Sequence, residues 1–281
     1  GVVLGHEIVG IVSEAANDLL SPAVGDRVVV APNLWCGHCA CCHRGLRNQC
    51  ENMTTVGIFV DGGLAPRVRV PARACHRISS ALPAHVAALA EPLSTVVHGA
   101  RQARAFPGET SVVLGAGPVG LMFAALLSAS GARVLVVEPA EERAELARTL
   151  GADRVVDPSA EGVGSVVRDE TDGLGAEVVI DAVGSQLASA LAVVGKGGRV
   201  VLFGMNTEAR TEIAQARITR DEITVLGSYV GQDVFPDAIR ILERGRIDLS
   251  PLVTHRVAVE ELPGALGELR AGRAAKVEVL F

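Results

Sequence analysis

Ser111–Glu138, SVVLGAGPVGLMFAALLSASGARVLVVE, reads as strand, glycine turn, helix and strand. Ser111–Leu114 is a short apolar run of the kind buried on both faces of a parallel sheet. Gly115, Gly117 and Gly120 follow as G-x-G-x-x-G. In such a turn the first glycine permits the bend. The second lets the backbone approach a pyrophosphate, and the third lets helix and strand pack closely. Pro118 and Val119 open the helix, and proline suits a first turn where no N–H is needed. Val119–Ser130 is apolar nearly all round, as a buried helix is, and Gly131 is placed to end it. The second strand, Arg133–Val137, runs into Glu138, 23 residues after Gly115. An acid there hydrogen-bonds the ribose hydroxyls of NAD and repels the 2′-phosphate of NADP. The alternative is a glycine turn kept for packing alone. Strand, helix and acid together favour the dinucleotide site. The expected fold class is α/β, with a Rossmann-type doubly wound parallel sheet.

Composition narrows the remaining classes. A chain of 281 residues holds one large or two moderate domains. Hydrophobic residues make up 49%, yet no run reaches the length of a membrane span. The net charge of −6 is made of interspersed signs, so there is no basic face for nucleic acid and no polybasic anchor for a membrane. Of the 26 basic residues only Lys196 and Lys276 are lysine, which reads as genomic bias. No signal peptide is visible, and a cytoplasmic protein is expected.

Two groups of residues point to metal. Cys36, Cys39, Cys42 and Cys50 read C-x2-C-x2-C-x7-C. Four thiolates so close in sequence suit a closed tetrahedral zinc site that orders a loop poor in apolar residues. Disulfides are disfavoured beside a dinucleotide fold, which usually occupies a reducing compartment. A redox pair using Cys41 is a further alternative. Cys75 reads as a buried thiol. Near the start, Gly5-His6-Glu7 offers an imidazole that could ligate zinc and a carboxylate that could ligate or orient. Taken alone, His6 and Glu7 are uninformative, and a partly buried structural pair is the first reading.

Four motifs now combine: VLGHEIVGIV at 3–12, the cysteine lobe at 36–50, AEPLSTVVHGA at 90–100 and VLGAGPVG at 113–120. In this order and spacing the chain resembles the zinc-containing medium-chain dehydrogenases, the group of alcohol, sorbitol and threonine dehydrogenases. The resemblance runs to the closing AAKVEVLF. It implies that His6 is the histidine ligand of a catalytic zinc, with Glu7 the acid beside it, a ligand in some members. Glu91 stands where alcohol dehydrogenases have cysteine and sorbitol-type relatives have glutamate, bound directly or through water. The family's first catalytic ligand, a cysteine followed by a proton-relaying hydroxyl residue, would lie upstream of Gly1. The chain is therefore read as N-terminally truncated.

The resemblance further implies a mainly-β GroES-like catalytic domain over 1–95, with its structural zinc lobe at 36–50. A Rossmann NAD-binding domain follows over 96–233, and 234–281 returns to the catalytic domain. Val183, Phe203 and Gly204 would face the nicotinamide; ordinary small turns are the alternative. The expected cofactors are NAD and zinc, both catalytic and structural. The reaction implied is hydride transfer to NAD from a zinc-polarised secondary alcohol of a polyol, sugar or cyclitol. An L-threonine 3-dehydrogenase is the second reading, and a catalytically silent NAD- and zinc-binding protein the third. A homodimer or homotetramer is expected, joined through the last parallel strand.

Other elements are read from local pattern. Val2–Leu4, Ile8–Val12, Val28–Val30 and Ala65–Val70 read as strands, as do Arg154–Val156, Glu177–Ile180, Arg199–Phe203, Ile223–Leu226 and Ala275–Leu280. Val234–Arg244 reads as a helix, and Glu161–Gly175 holds too many glycines for one.

Overall fold

The computed structural model describes residues 1–16 and 22–281. These form two compact units, one of Gly1–Val97 with Val230–Phe281 and the other of His98–Tyr229.

The first unit opens with strands β1 (Ile8–Ile11) and β2 (Arg27–Val30), antiparallel with Ile8 opposite Val30. Strands β3 (Asn33–Leu34) and β4 (Thr54–Thr55) pair at the base of the cysteine lobe. Strand β5 (Cys75–Arg77) then lines the other edge of β2. Val28, Val29 and Val30 are buried, which fixes the inner strand of the three. Two expected strands do not form. Val3 and Leu4 accept from Gly62 and Leu64 N–H at 2.8 and 2.9 Å, but no regular ladder develops. Ala65–Val70 has the apolar alternation of a strand, but among the described residues no neighbouring edge pairs with it. Strand propensity reflects packing against neighbours, and without them it makes no ladder.

The second unit is a six-stranded parallel sheet. Its strands are β6 (Thr110–Leu114), β7 (Arg133–Val137), β8 (Arg154–Val156), β9 (Ala176–Asp181), β10 (Val194–Leu202) and β11 (Thr224–Gly227). The order β11-β10-β9-β6-β7-β8 is that of a doubly wound Rossmann sheet. The winding reverses between β6 and β9, so ligands are expected beyond the carboxyl ends of those two strands. Every residue of β6 is buried. Val112, Leu114, Leu135, Val179 and Val200 share one core with Val167 and Ala190.

A helix forms at Val163–Asp169 despite the local glycines. Gly162 caps it, and Gly173 and Gly175 take positive φ after it, so only Gly164 lies inside. Burial of Val167 outweighs the roughly 1 kcal/mol cost of that one residue. Strand β10 starts earlier than its sequence pattern implies, with an irregular register between Val194 and Arg199.

Back in the first unit, the helix Phe235–Arg244 is followed by strand β12 (Val253–Ala258), the helix Leu262–Arg270 and strand β13 (Lys276–Leu280). Strands β12 and β13 are parallel, with Val257 opposite Val279. No helix among the described residues is long and apolar enough to cross a membrane.

Candidate metal and nucleotide sites

His6 is placed by a close meeting of glycines. Gly5 takes φ +96° and its carbonyl accepts the Gly63 N–H at 2.8 Å. A Cβ on Gly57 or on Gly62 would run into the Gly5 carbonyl. The backbone carrying His6 and Glu7 is therefore pressed against 57–63 with no room for side chains between. Glu91 arrives from far along the chain, in the first turn of the helix Ala90–Ala103. One ligand atom each from His6, Glu7 and Glu91 lies within 4.8 Å of the others. Glu91 is buried, and burial pushes its carboxyl up to about 7. The nearby Glu7 adds to this rise and Lys276 opposes it. One imidazole and two carboxylates suit zinc, which takes nitrogen and oxygen donors at a catalytic site and keeps a position open.

The cysteine lobe gathers its four sulfurs in the same way, all of Cys36, Cys39, Cys42 and Cys50 lying within 4.8 Å of one another. The Cys39 and Cys50 sulfurs are 3.8 Å apart, and all six cysteines are free. That separation matches the edge of a tetrahedron with Zn–S bonds of ~2.3 Å, and lies far beyond a disulfide bond. Backbone N–H groups feed the cluster: Cys36 donates to the Cys50 sulfur at 3.3 Å and Cys42 to Cys39 at 3.5 Å. The His38 backbone N–H draws the Cys36 thiol down to about 5, whereas desolvation pushes Cys42 up to about 12. A divalent cation is the partner that lets all four become thiolates together. Within the lobe, the Arg47 guanidinium reaches out to Trp35, 4.5 Å from its ring centre, and to Asp233 at 2.7 Å.

In the second unit the glycine turn lies at the switch point of the sheet. Gly115 has φ +93° and donates to the Val137 carbonyl at 2.9 Å. A Cβ on Gly120 would strike the Gly115 carbonyl, so this glycine is needed for close packing. Gly117 differs: its φ is −66°, and a Cβ there would meet no atom within 4 Å. Neither conformation nor internal packing asks for glycine there. The free space lies at the start of the helix Pro118–Ala129, where unpaired N–H groups attract phosphate. Pro118 and Val119 are half-buried at the same mouth.

Glu138 is buried, its carboxylate accepting from Ala116 N–H at 2.8 Å and Ala140 N–H at 3.0 Å. Val183 is half exposed beside Gly115, whose added Cβ would come 2.7 Å from a Val183 methyl. Gly204 and Gly184 meet backbone to backbone with no space for a Cβ on either. Phe203 is half-buried and sets its ring edge-on to Phe123 at 5.0 Å.

Two residues of these sites carry no motif in the sequence. Asp181, at the end of β9, is buried and accepts from the N–H groups of Val183, Gly184 and Gln186 at 3.0, 2.7 and 2.8 Å. It folds the loop that displays Val183. Lys276 forms an ion pair with Glu7. A signal for it existed, since it is one of two lysines in a chain that otherwise uses arginine.

Comparison with known proteins places these features in a family. A family model described as alcohol dehydrogenase GroES-like domain matches residues 1–80, and one described as zinc-binding dehydrogenase matches 118–244. The chain is 38% identical over 269 residues to the D-altritol 5-dehydrogenase of Agrobacterium fabrum, covering 93% of this chain and 78% of that protein. It is 33% identical over 282 residues to the L-threonine 3-dehydrogenase of Caldanaerobacter subterraneus, covering 98% and 80%. A crystal structure from Sinorhizobium meliloti 1021, provisionally named a zinc-binding dehydrogenase and bound to NADP, superposes with a TM-score of 0.94 at 31% identity, covering 100% of this chain and 84% of that one. With its Rossmann sheet and GroES-like domain, the chain belongs to the zinc-type alcohol dehydrogenases of the medium-chain dehydrogenase family.

Proposed function

We propose that the protein oxidises a secondary alcohol of a polyol, sugar or cyclitol and passes the hydride to NAD. The observation that carries this is the convergence of His6, Glu7 and Glu91, 85 positions apart at the extremes, on one point. Zinc bound there supplies Lewis acidity that lowers the pKa of a substrate hydroxyl. The chain's own part is to hold the metal with His6 and a carboxylate, and to fix the cofactor. Gly115, Gly117, Pro118, Val119 and Gly120 would receive the pyrophosphate, Glu138 the ribose, and Val183, Phe203 and Gly204 the nicotinamide. Cys36, Cys39, Cys42 and Cys50 would hold a second, structural zinc. The functional domains are taken as 1–95, 96–233 and 234–281. A cytoplasmic homodimer or homotetramer completes the reading.

The polyol class is supported by the altritol-oxidising relative and by glutamate at position 91. L-Threonine is the second substrate to test, given the threonine dehydrogenase relative aligned over nearly the whole chain. The experiment is NAD reduction by zinc-loaded protein with a panel of polyols and with L-threonine. Polyol turnover lost in His6→Ala supports the proposal. Threonine as the better substrate moves the assignment to the second reading. Zinc and NAD binding without turnover of any alcohol would favour the third reading, a silent binding protein.

A further inference from the structure

The chain leaves the second unit at Tyr229 and re-enters the first at Val230. The backbone that follows is unusual. Val230 has φ +44° and Asp233 φ +53°. For a β-branched residue such as valine, this left-handed region is a genuine outlier. It persists only where the surroundings over-determine it. The far end of the segment is fixed, since Val234 is buried and the Phe235 ring lies 5.0 Å from that of His76. Two further holds come from the cysteine lobe. The Gln232 side-chain amide donates to the Gly45 carbonyl at 2.5 Å, and the Arg47 guanidinium donates to Asp233 at 2.7 Å. Both lobe residues are bonded through their backbone to a cysteine of the cluster. Gly45 N–H donates to the Cys42 carbonyl at 3.0 Å, and Cys50 N–H to the Arg47 carbonyl at 3.1 Å. On its other side the segment touches the helix Ala90–Ala103. A Cβ on Gly231 would come 3.0 Å from the Ser94 hydroxyl oxygen, and that hydroxyl donates to the Glu91 carbonyl at 2.7 Å. A run of contacts therefore joins the cysteine cluster to the helix turn that carries Glu91.

We propose that the cysteine lobe is a latch on Val230–Asp233, so that the state of its four thiols is felt at the turn carrying Glu91. The inference rests on the zinc reading of the lobe given above. Its logic is footing. The lobe has little core of its own, and its helix Ala40–His43 buries no residue. Thiols drawn together on one metal keep Gly45 and Arg47 in fixed places. Thiols released from it let both move. The two holds on Gln232 and Asp233 then slacken, and Val230 relaxes toward ordinary backbone. An exposed ion pair such as Arg47 with Asp233 contributes little by itself. Here it acts on a segment whose relaxed conformation is already the easier one, so a small force has a local effect. Gly231 passes that change to Ser94, because the two meet without space for a side chain between them.

The test is amide hydrogen exchange of the full, zinc-loaded chain, read by mass spectrometry at 229–234 and 90–97, with strand β9 as the internal reference. Arg47→Met combined with Gln232→Met removes both donors and leaves the backbone and the thiols alone. Exchange at 229–234 and at 90–97 should rise by about 2–30-fold, the span of coupling changes along such contact networks, while β9 stays as in the parent. Chelator competition on this double variant should show the lobe zinc retained. Cys39→Ser should raise exchange at both places to a similar level, and adding the two methionines to it should raise exchange no further. Arg47→Lys keeps an ion pair and should stay close to the parent. Val230→Asn accepts positive φ more readily, so it should return protection to the double variant. Should Cys39→Ser fail to fold, the double variant still decides. Parent-like exchange at 229–234 in a folded, zinc-loaded double variant overturns the proposal, as does faster exchange there that does not reach 90–97. A parent protein whose lobe holds no zinc removes the zinc reading of the lobe and this inference together.

Discussion

Glu138 and Ala116 are joined by a hydrogen bond of 2.8 Å, from the backbone N–H inside the glycine turn to a buried carboxylate at the end of the next strand. The other carboxylate oxygen takes the Ala140 N–H at 3.0 Å. The acid that would read the ribose therefore also straps down the turn that would receive the pyrophosphate. A carboxylate has about four acceptor positions, so two such bonds leave capacity for a ribose hydroxyl.

Glu138→Ala is accordingly expected to do more than relax cofactor choice. Losing a hydrogen bond to a buried charged group costs about 1.5–3 kcal/mol, so NAD affinity should fall by about 10–100-fold. Fluorescence titration of both cofactors checks this. The parent protein should prefer NAD, and equal or tighter NADP binding by the parent would remove the NAD assignment.

Cys39→Ser should release about one zinc per chain and lower the melting temperature. The effect should reach beyond the lobe, because Arg47 connects Trp35 to Asp233 and Gln232 donates to the Gly45 carbonyl at 2.5 Å. Metal analysis with calorimetry provides the check. A metal-free protein that melts like the loaded one would contradict a structural zinc at this place.

Glu91 makes the stability of metal-free protein depend on pH. Its folded carboxyl is raised to about 7, first by burial and then by Glu7, from an ordinary value near 4.5. A raised carboxyl means the native state holds the proton more tightly than the unfolded chain. The stabilisation is complete below about pH 4.5 and is lost as pH rises through about 7. Glu91→Gln should flatten this part of the melting profile between pH 4.5 and 7. A variant whose profile keeps the parent's slope would show that another group is responsible.

The edge strand β11 leads to a prediction about assembly. It lies at one end of the sheet, and Val225 on it is exposed. An apolar strand edge is a site for pairing with another copy. Micromolar protein should scatter light as a dimer or a dimer of dimers, and Val225→Lys should shift it toward monomer. A parent protein that is monomeric under these conditions removes the prediction.

The Rossmann sheet was legible because its signals are local. Each buried strand is a short apolar run, and the G-x-G-x-x-G turn declares its own conformation, as the positive φ of Gly115 confirms. The alternation at Ala65–Val70 suggests a strand but says nothing about whether an edge is available to pair with it. The glycines of Glu161–Gly175 argue against a helix as a bare number, but they fall at the ends of Val163–Asp169 and only Gly164 lies inside it. The partner of Lys276 and the role of Asp181 are not legible for another reason. A lysine that pairs with a residue 269 positions away, and an aspartate that folds its own loop, have no spacing rule to betray them.

The crowding of Gly5, Gly57, Gly62 and Gly63 has a consequence for redesign. Position 6 is held by main-chain contact of Gly5 with Gly57 and Gly62, beside Gly63 packed on the Ile8 side chain. Such a contact has no conservative substitutions, since even a methyl group separates the two backbones. A library that diversifies Gly57 and Gly62 to change substrate range would thus be filtered first for retention of the imidazole's position, before specificity could be sampled. Variation at half-exposed Val183, by contrast, leaves this backbone contact untouched.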